Sequence, residues 1–329
     1  MTDDAAPLRT VAAIVGPTGA GKSALALALA ERVGAAIVSA DSRQLYRRFD
    51  VGTAKPTPAE RARVPHHGID VADPTERWSA ARWADAAEQW IAACDDAGRP
   101  PLLVGGTGFY LRALSEPLFE EPPLDGARRA VLARELDALS TDALRARVAA
   151  ADPELAGTQR AQLMRAAEVM TLTGVPLSVW RRRAARPARL ALRYLVVDPG
   201  PSLADRLARR TDAMLATGWL AEVERLAADI PHDAPAWHAT GYDVWRAHLR
   251  GVLPFSTARD RVVIATRQYA KRQRTWFRHQ LPPACVRHVD PMRDDALDVA
   301  LAWWRANAAD AARPADFPIR AQRDPTTAS

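Results

Sequence analysis

The 329-residue sequence predicts an α/β protein, a parallel-sheet core with a mainly helical insertion domain. Three observations carry that expectation. Short apolar runs alternate with helix-forming stretches over residues 11–114. Ala, Leu and Arg then recur at helical spacing over residues 128–183 with no clear strand. An apolar run at 192–197 returns the chain to its first pattern. Strands alternating with helices imply a parallel sheet with right-handed crossovers.

The elements follow in order. Residues 11–15 are a short apolar strand, and residues 24–32 are helix formers. Residues 36–40 read as a second strand that ends at Asp41-Ser42. Residues 79–96 are helical, with Trp83, Ala87, Trp90 and Ile91 on one face. Residues 101–104 form a third buried strand before Gly105-Gly106-Thr107-Gly108. Helices dominate from the returning strand to about residue 308. The expected domains are a flexible N-terminus (1–10), the first part of the core (11–120), the insertion (121–190) and the core completion with basic C-terminal helices (191–312). A Pro, Asp, Thr, Arg and Ser tail (313–329) is expected to be disordered.

Composition excludes several classes. With 48% hydrophobic and 26% charged residues this is ordinary globular protein. Two cysteines, Cys94 and Cys285, rule out a disulfide framework or a cysteine-based zinc site. No apolar run approaches the roughly 20 residues of a membrane span. Residues 1–10 have no apolar stretch of the secretory kind, so a cytoplasmic location is expected. Charge is uneven: residues 1–159 carry −4, residues 160–287 carry +12 and residues 288–329 carry −2. Concentrated positive charge suits a polyanion, although a solvated face would look the same. Only three of the 45 basic residues are lysines, namely Lys22, Lys55 and Lys271. In so Arg-rich a chain, a lysine can mark a place where a planar guanidinium will not serve.

The strongest signal is Gly16-Pro17-Thr18-Gly19-Ala20-Gly21-Lys22-Ser23, which satisfies G-x-x-x-x-G-K-[ST] between a strand and a helix. Its glycines let backbone N–H groups converge on phosphate oxygens, and the helix N-terminus adds positive potential. Lys22 is expected to reach the distal phosphate and Ser23 to ligate Mg²⁺. The core is therefore expected to be P-loop NTPase-like. Asp41, at the end of the second strand, can hold Mg²⁺ through water or accept a proton, or it can serve simply as a helix cap. Thr107 occupies the equivalent edge of the third strand, where its hydroxyl can donate to a departing oxygen. A plain turn would use the same glycines. No apolar run with a following Asp of the Walker B type succeeds this strand, which argues against an ordinary ATPase.

Residues 259–280 add an independent pattern. Arg267, Lys271, Arg274 and Arg278 follow i, i+4, i+7, i+11 along one helix stripe. Val262, Val263, Tyr269, Gln273, Trp276 and Phe277 lie mostly elsewhere, and Asp260 is the one acidic residue in the segment. Such a stripe fits phosphate contacts, with a solvated face as the alternative. His66-His67 with Asp70 makes a poor metal-ligand set, and Trp303-Trp304 suits a core.

The chain resembles the bacterial tRNA dimethylallyltransferases, the IPP transferase family. The resemblance runs over residues 11–304. It rests on GPTGAGKS (16–23), DSRQLY (41–46), VGTAKP (51–56), PHHGID (65–70), LLVGGTGFYLRAL (102–114), RAAEVMTLTG (165–174), the Arg206/Arg210/Met214/Gly218 series and ATRQYAKRQRTWFR (265–278). It implies transfer of a dimethylallyl group from dimethylallyl diphosphate to N6 of the adenosine just 3′ of the anticodon in tRNA, with release of diphosphate. It further implies Asp41 as general base and Thr107 beside the bridging oxygen of the leaving group. Residues 16–23, Arg210 and Mg²⁺ would hold the diphosphate. By the same resemblance, Asp41, Ser42, Arg43, Gln44 and Thr107 would meet the extruded adenosine. Further tRNA contacts would come from Arg129, Gln162, Arg165, His238, Gly241, Tyr242, Lys271, Arg272, Gln273, Arg274, Thr275, Trp276 and Arg278. The chain departs from the family pattern at Thr158-Gln159, where Asn-Asp is usual, and at Gln162, His238 and Asp243. A monomer is expected. The rival reading is a small-molecule or nucleotide kinase, which the phosphate loop alone would favour, and a non-catalytic RNA binder stands behind it.

Overall fold

Thr10–Val15 (β1) is buried at five of its six positions, as a strand covered on both faces must be. The computed structural model describes residues 8–119, 124–183 and 185–310. The expected tail at 313–329 and most of the expected N-terminal segment lie outside them. Next come Lys22–Val33 (α1), Ala36–Ser39 (β2), Pro58–Arg63 (α2), His66–His67 (β3), Ala80–Asp96 (α3), Pro101–Gly105 (β4) and Gly108–Ser115 (α4). Helix boundaries follow capping chemistry. Ser79 accepts from Arg82 N–H at the start of α3, and Thr57 and Glu60 form a reciprocal capping box on α2.

The chain divides into two compact units, Met1–Ser115 with Arg189–Ser329, and Glu116–Ala188. The second unit contains Leu118–Phe119 (β5), Gly126–Asp137 (α5), Thr141–Ala149 (α6), Arg160–Thr173 (α7), Leu177–Arg183 (α8) and Ala185–Arg186 (β6). Leu132, Leu136, Leu144, Val148, Leu163 and Val169 form its core. The antiparallel pair β5–β6 has no counterpart in the sequence expectation, because two residues per strand leave no alternation to read. The unit begins at Glu116 rather than 121 and ends at Ala188 rather than 190. By Arg189 the chain is already paired with the core: Arg189 and Leu190 N–H both donate to Leu114 C=O.

The first unit resumes with Ala191–Val197 (β7), Leu203–Ala216 (α9), Trp219–Asp229 (α10), Tyr242–Leu249 (α11), Phe255–Gln280 (α12), Val286–Val289 (β8) and Ala296–Asp310 (α13). Its sheet has the order β3-β2-β4-β1-β7-β8, and every pairing is parallel. Ala12 and Ile14 face a core shared with α1 and α13, where Leu29, Ala300 and Trp303 pack. Val15 lies opposite both Gly105 and Val196, and Ser39 lies opposite Val104. The carboxyl ends of β1, β2 and β4 therefore open side by side, the edge where ligands gather in sheets of this kind.

Two buried charges fix the loop that follows β2. Lys55, its side chain 2% exposed, donates to Tyr46 C=O, to Asp50 Oδ1 at 2.6 Å and to Asp70 Oδ1 at 2.5 Å. Three acceptors around one point suit an ammonium and would not fit a flat guanidinium. Glu222 of α10 is 1% exposed and accepts from Asp50, Val51 and Gly52 N–H and from Tyr242 OH. A buried carboxylate is tolerated here because all its partners are donors. Glu222→Ala should lower unfolding stability by about 3 kcal/mol or more, since each stranded buried donor costs roughly 1–3 kcal/mol. Urea titration followed by circular dichroism measures it.

Candidate active site

The phosphate loop is shaped by close packing. Gly16 has φ +147°, and a Cβ there would lie 2.2 Å from Val197 C=O, so no side chain fits. Gly21 precedes α1 at φ +99°, without a side-chain cap, and the first turn has no acidic residue. The free N–H groups and the positive end of the helix dipole are left for an anion. Ala20 N–H donates to Pro17 C=O at 3.2 Å, and Lys22 Nζ donates to the same oxygen at 2.8 Å. Thr18 N–H is engaged elsewhere: it donates to Gln273 Oε1 at 2.8 Å, while Gln273 Nε2 donates to Gly106 C=O at 2.8 Å. One amide thus ties the phosphate loop to the loop after β4.

The loops after β2 and β4 are stitched together as well. Thr107 N–H donates to Ala40 C=O, and Ser42 N–H donates to Thr107 Oγ1 at 3.0 Å. A Cβ on Gly105 would meet Ala40 C=O at 2.1 Å, so this approach demands glycine. Asp41 Oδ1 accepts from Arg43 N–H at 2.8 Å, which turns the chain and leaves Oδ2 for other partners. Asp41, Lys22 and Arg210 are close enough to feel each other's charge. Burial pushes the Lys22 ammonium down to about 8, against the pull of Asp41 and with help from Arg210. Burial also pushes the Arg210 guanidinium down, again opposed by Asp41.

These groups line a cavity of about 340 Å³ together with Thr18, Ser23, Arg43, Gln44 and Tyr269. Leu207, Met214 and Trp219 give it an apolar stretch beside the charged one. Thr107 borders the Asp41 loop without lining the cavity itself. An adjoining recess is bounded by Arg206, Arg209 and Arg210, with Lys22 and Ser23. Cations outnumber carboxylates around the loop, so the site is built to receive negative charge. Among the described residues no group of three or more His, Cys, Asp or Glu could hold a metal ion. His66 Nδ1 lies 2.7 Å from Val64 C=O, and burial pushes both His66 and His67 below the ordinary imidazole range.

A family model for IPP transferases matches residues 44–280, and one for isopentenyl transferases matches residues 9–65. The chain belongs to the IPP transferase family. The tRNA dimethylallyltransferase of Rhodospirillum centenum is 48% identical over 294 residues, covering 86% of this chain and 92% of that one. Its counterpart from Thermus thermophilus is 44% identical over 277 residues, covering 83% and 91%. Among solved structures, the tRNA isopentenylpyrophosphate transferase of Bacillus halodurans superposes with a TM-score of 0.66 at 31% identity, covering 92% of this chain and 98% of that one. A eukaryotic dimethylallyltransferase acting on tRNA, 24% identical over 96% of this chain and 82% of its own, gives a TM-score of 0.77 and supports the fold.

Within this IPP transferase framework, several expected RNA-contact residues are placed inside the protein. Tyr242 is fully buried and donates to Glu222, and Gly241, also buried at φ +97°, packs on Trp219. Gln273 is 7% exposed and braces two loops, so it is no outward contact. Gln44 lines the cavity with its amide engaged within the protein: Nε2 donates to Thr53 and Ala54 C=O, and Oε1 accepts from Ser39. Arg274 departs from the stripe by pairing with Asp198 and donating to Gly200 C=O. Arg267, Lys271, Arg272, Thr275 and Arg278 are exposed on α12, as is His238, and Trp276 is half-buried. In the second unit Arg129 donates to Glu168 Oε1 at 2.6 Å, Arg165 pairs with the same carboxylate, and Gln162 is exposed.

Sequence reasoning missed Tyr269 and Glu222. Tyr269 lines the cavity near Asp41 and Thr107, and burial first and Asp41 second push its phenol up to about 12. Glu222 shares an apolar helix face with Trp219, Val223 and Leu226, which was a legible sign of a buried carboxylate.

Lys22 predicts a pH dependence. Anion binding requires the ammonium, whereas free Lys22 loses its proton near pH 8. Affinity for inorganic diphosphate should therefore fall as pH rises through about 8. Lys22→Met should bind more weakly below about pH 8, approach the wild type above it, and show only the ligand's own titration. Calorimetry over pH 7–10 on both proteins (about 3 units, spanning the lysine range) separates the two contributions.

Proposed function

We infer that this enzyme transfers a dimethylallyl group from dimethylallyl diphosphate to N6 of the adenosine 3′-adjacent to the anticodon in tRNA, giving N6-dimethylallyladenosine and diphosphate. The observation that carries the reading is a diphosphate cradle and a carboxylate, Asp41, facing one cavity with an apolar stretch. The C1–O bond to diphosphate breaks with its electron pair leaving on oxygen, the N6–C1 bond forms, and the N6 proton passes to Asp41. Positive character on the allyl carbon and negative charge on the leaving group both develop in the transition state. Fixed donors at the phosphate therefore lower the barrier more than any covalent chemistry could. Lys22, Arg210 and the α1 N-terminus supply them. Thr107 serves the bridging oxygen by exchanging its 3.4 Å bond to Ser42 Oγ.

Ser23, with Asp41 through water, would hold Mg²⁺. Two oxygen donors lining one cavity fit an ion that takes its remaining ligands from phosphate and water, and Mg²⁺ bound there would neutralise charge on the departing diphosphate. The adenosine must leave its stack to reach Asp41, at a cost of a few kcal/mol. Exposed Lys271, Arg272 and Arg278 on α12 supply phosphate contacts that offset it, and Arg129, Gln162 and Arg165 of the insertion meet the same RNA. No helix among the described residues is long and apolar enough to cross a membrane. A cytoplasmic enzyme working as a monomer completes the reading. The kinase alternative gives way to the family membership above.

The deciding experiment incubates labelled dimethylallyl diphosphate with tRNA and digests the product to nucleosides. N6-dimethylallyladenosine should appear with stoichiometric diphosphate, and a phosphorylated acceptor instead would overturn the reading. In the same assay Asp41→Asn should lower kcat by about 10²–10⁴ while tRNA binding survives. Turnover equal to wild type would remove the general base.

The α12 stripe makes a separate prediction. Reversing Lys271 and Arg278 together to Glu should weaken tRNA binding and lower the slope of log K against log[salt] by about two. Filter binding at several salt concentrations reads it.

A further inference from the structure

Phe109 is 63% exposed, the most exposed aromatic side chain among the described residues. Its exposure is local. Tyr110 and Leu111 beside it are buried, Tyr110 stacking on Trp83 with centroids 4.6 Å apart. Phe109 stands in the first turn of α4, two residues after Thr107, whose hydroxyl accepts from Ser42 N–H next to Asp41. Gly108 lies flat on the Trp276 indole, where a Cβ would come within 2.4 Å of the ring, so the start of α4 is pressed against α12. On that stretch of α12 Lys271, Arg272 and Arg278 are exposed, Arg272 sits 5.9 Å from the Tyr269 ring, and no acidic residue follows Asp260 within the helix. Arg43, half-buried, adds a cation at the cavity wall.

A large ring left in water next to a reactive cavity and a row of cations has a definite chemical complement. Phosphates satisfy the cations, and a π-face satisfies the ring. Single-stranded RNA offers both at the spacing of one nucleotide, and proteins that hold unpaired bases stack them on such side chains. We propose that Phe109 stacks on the base neighbouring the extruded adenosine and holds the anticodon loop open while Asp41 works on its target. Phe109 is thus a positioning residue for the RNA substrate, and this assignment rests on the function inferred above. The ring replaces the stacking partner that the neighbouring base loses when the adenosine swings out, so its benefit falls on RNA affinity and leaves the chemical step alone.

The test uses the full chain and an anticodon stem-loop RNA, unmodified or with 2-aminopurine immediately 3′ of the target adenosine. Phe109→Ala should raise KM for the RNA about tenfold or more, with kcat at saturating RNA within about threefold of wild type. Affinity for diphosphate and the thermal midpoint should be unchanged. Phe109→Trp should restore KM, and Phe109→Leu, which keeps apolar bulk without a π-face, should not. The 2-aminopurine complex should be dim with wild type and Phe109→Trp and bright with Phe109→Ala, because an unstacked probe fluoresces. An unchanged KM in Phe109→Ala, a Leu variant equal to wild type, or fluorescence indifferent to the ring would each overturn the proposal. Wild-type protein that fails to prenylate the unmodified stem-loop would instead count against the inferred function. Wild-type activity with indifferent variants would count against Phe109 alone.

Discussion

Gln273 accepts from Thr18 N–H and donates to Gly106 C=O, and the cavity edge of the sheet depends on that pair of hydrogen bonds. The loops after β1 and β4 are both glycine-rich and have little apolar surface with which to hold each other. A buried side-chain amide supplies what they lack: a donor and an acceptor at fixed separation, carried on a 26-residue helix. Because each backbone group would be costly to leave unpaired, the two loops are locked in one arrangement. Thr107 then fixes Ser42, which sits at the centre of the Asp41–Arg43 turn, and Asp41 lines the same cavity as Lys22 and Ser23.

Electrostatics act in the opposite sense. Lys22 and Arg210 lie together where burial disfavours both charges, and Asp41 opposes that effect at each. An anion entering the cavity offsets the same penalty. On the function proposed above, a departing diphosphate carries more negative charge than the ester it came from, so the same cluster would favour the product side of bond cleavage over the starting state.

Much of the core was legible in the chain. Strands read at 11–15, 36–40, 101–104 and 192–197 appear at Thr10–Val15, Ala36–Ser39, Pro101–Gly105 and Ala191–Val197, because fully covered strands announce themselves as unbroken apolar runs. The phosphate loop was legible because its chemistry is local. What escaped was non-local: β3 and β8 are short edge strands with mixed composition, and they exist because a neighbour offers hydrogen bonds. The roles of Gln44, Gln273 and Tyr242 escaped for the same reason. Polar residues inside a motif expected to touch substrate look like contacts, yet these three also bond the protein's own backbone, Ser39 and Glu222. Arg274 fits a stripe by helical spacing alone, and only the tertiary fold supplies Asp198 to draw it aside.

The second unit leaves the core after Ser115 and re-enters at Arg189, where Leu114 C=O receives the returning chain's first two N–H groups. Departure and return share one anchorage, so the ladder between β1 and β7 is blind to whatever is threaded between them. Selection can lengthen, shorten or recharge the inserted unit without renegotiating the sheet that carries the cavity.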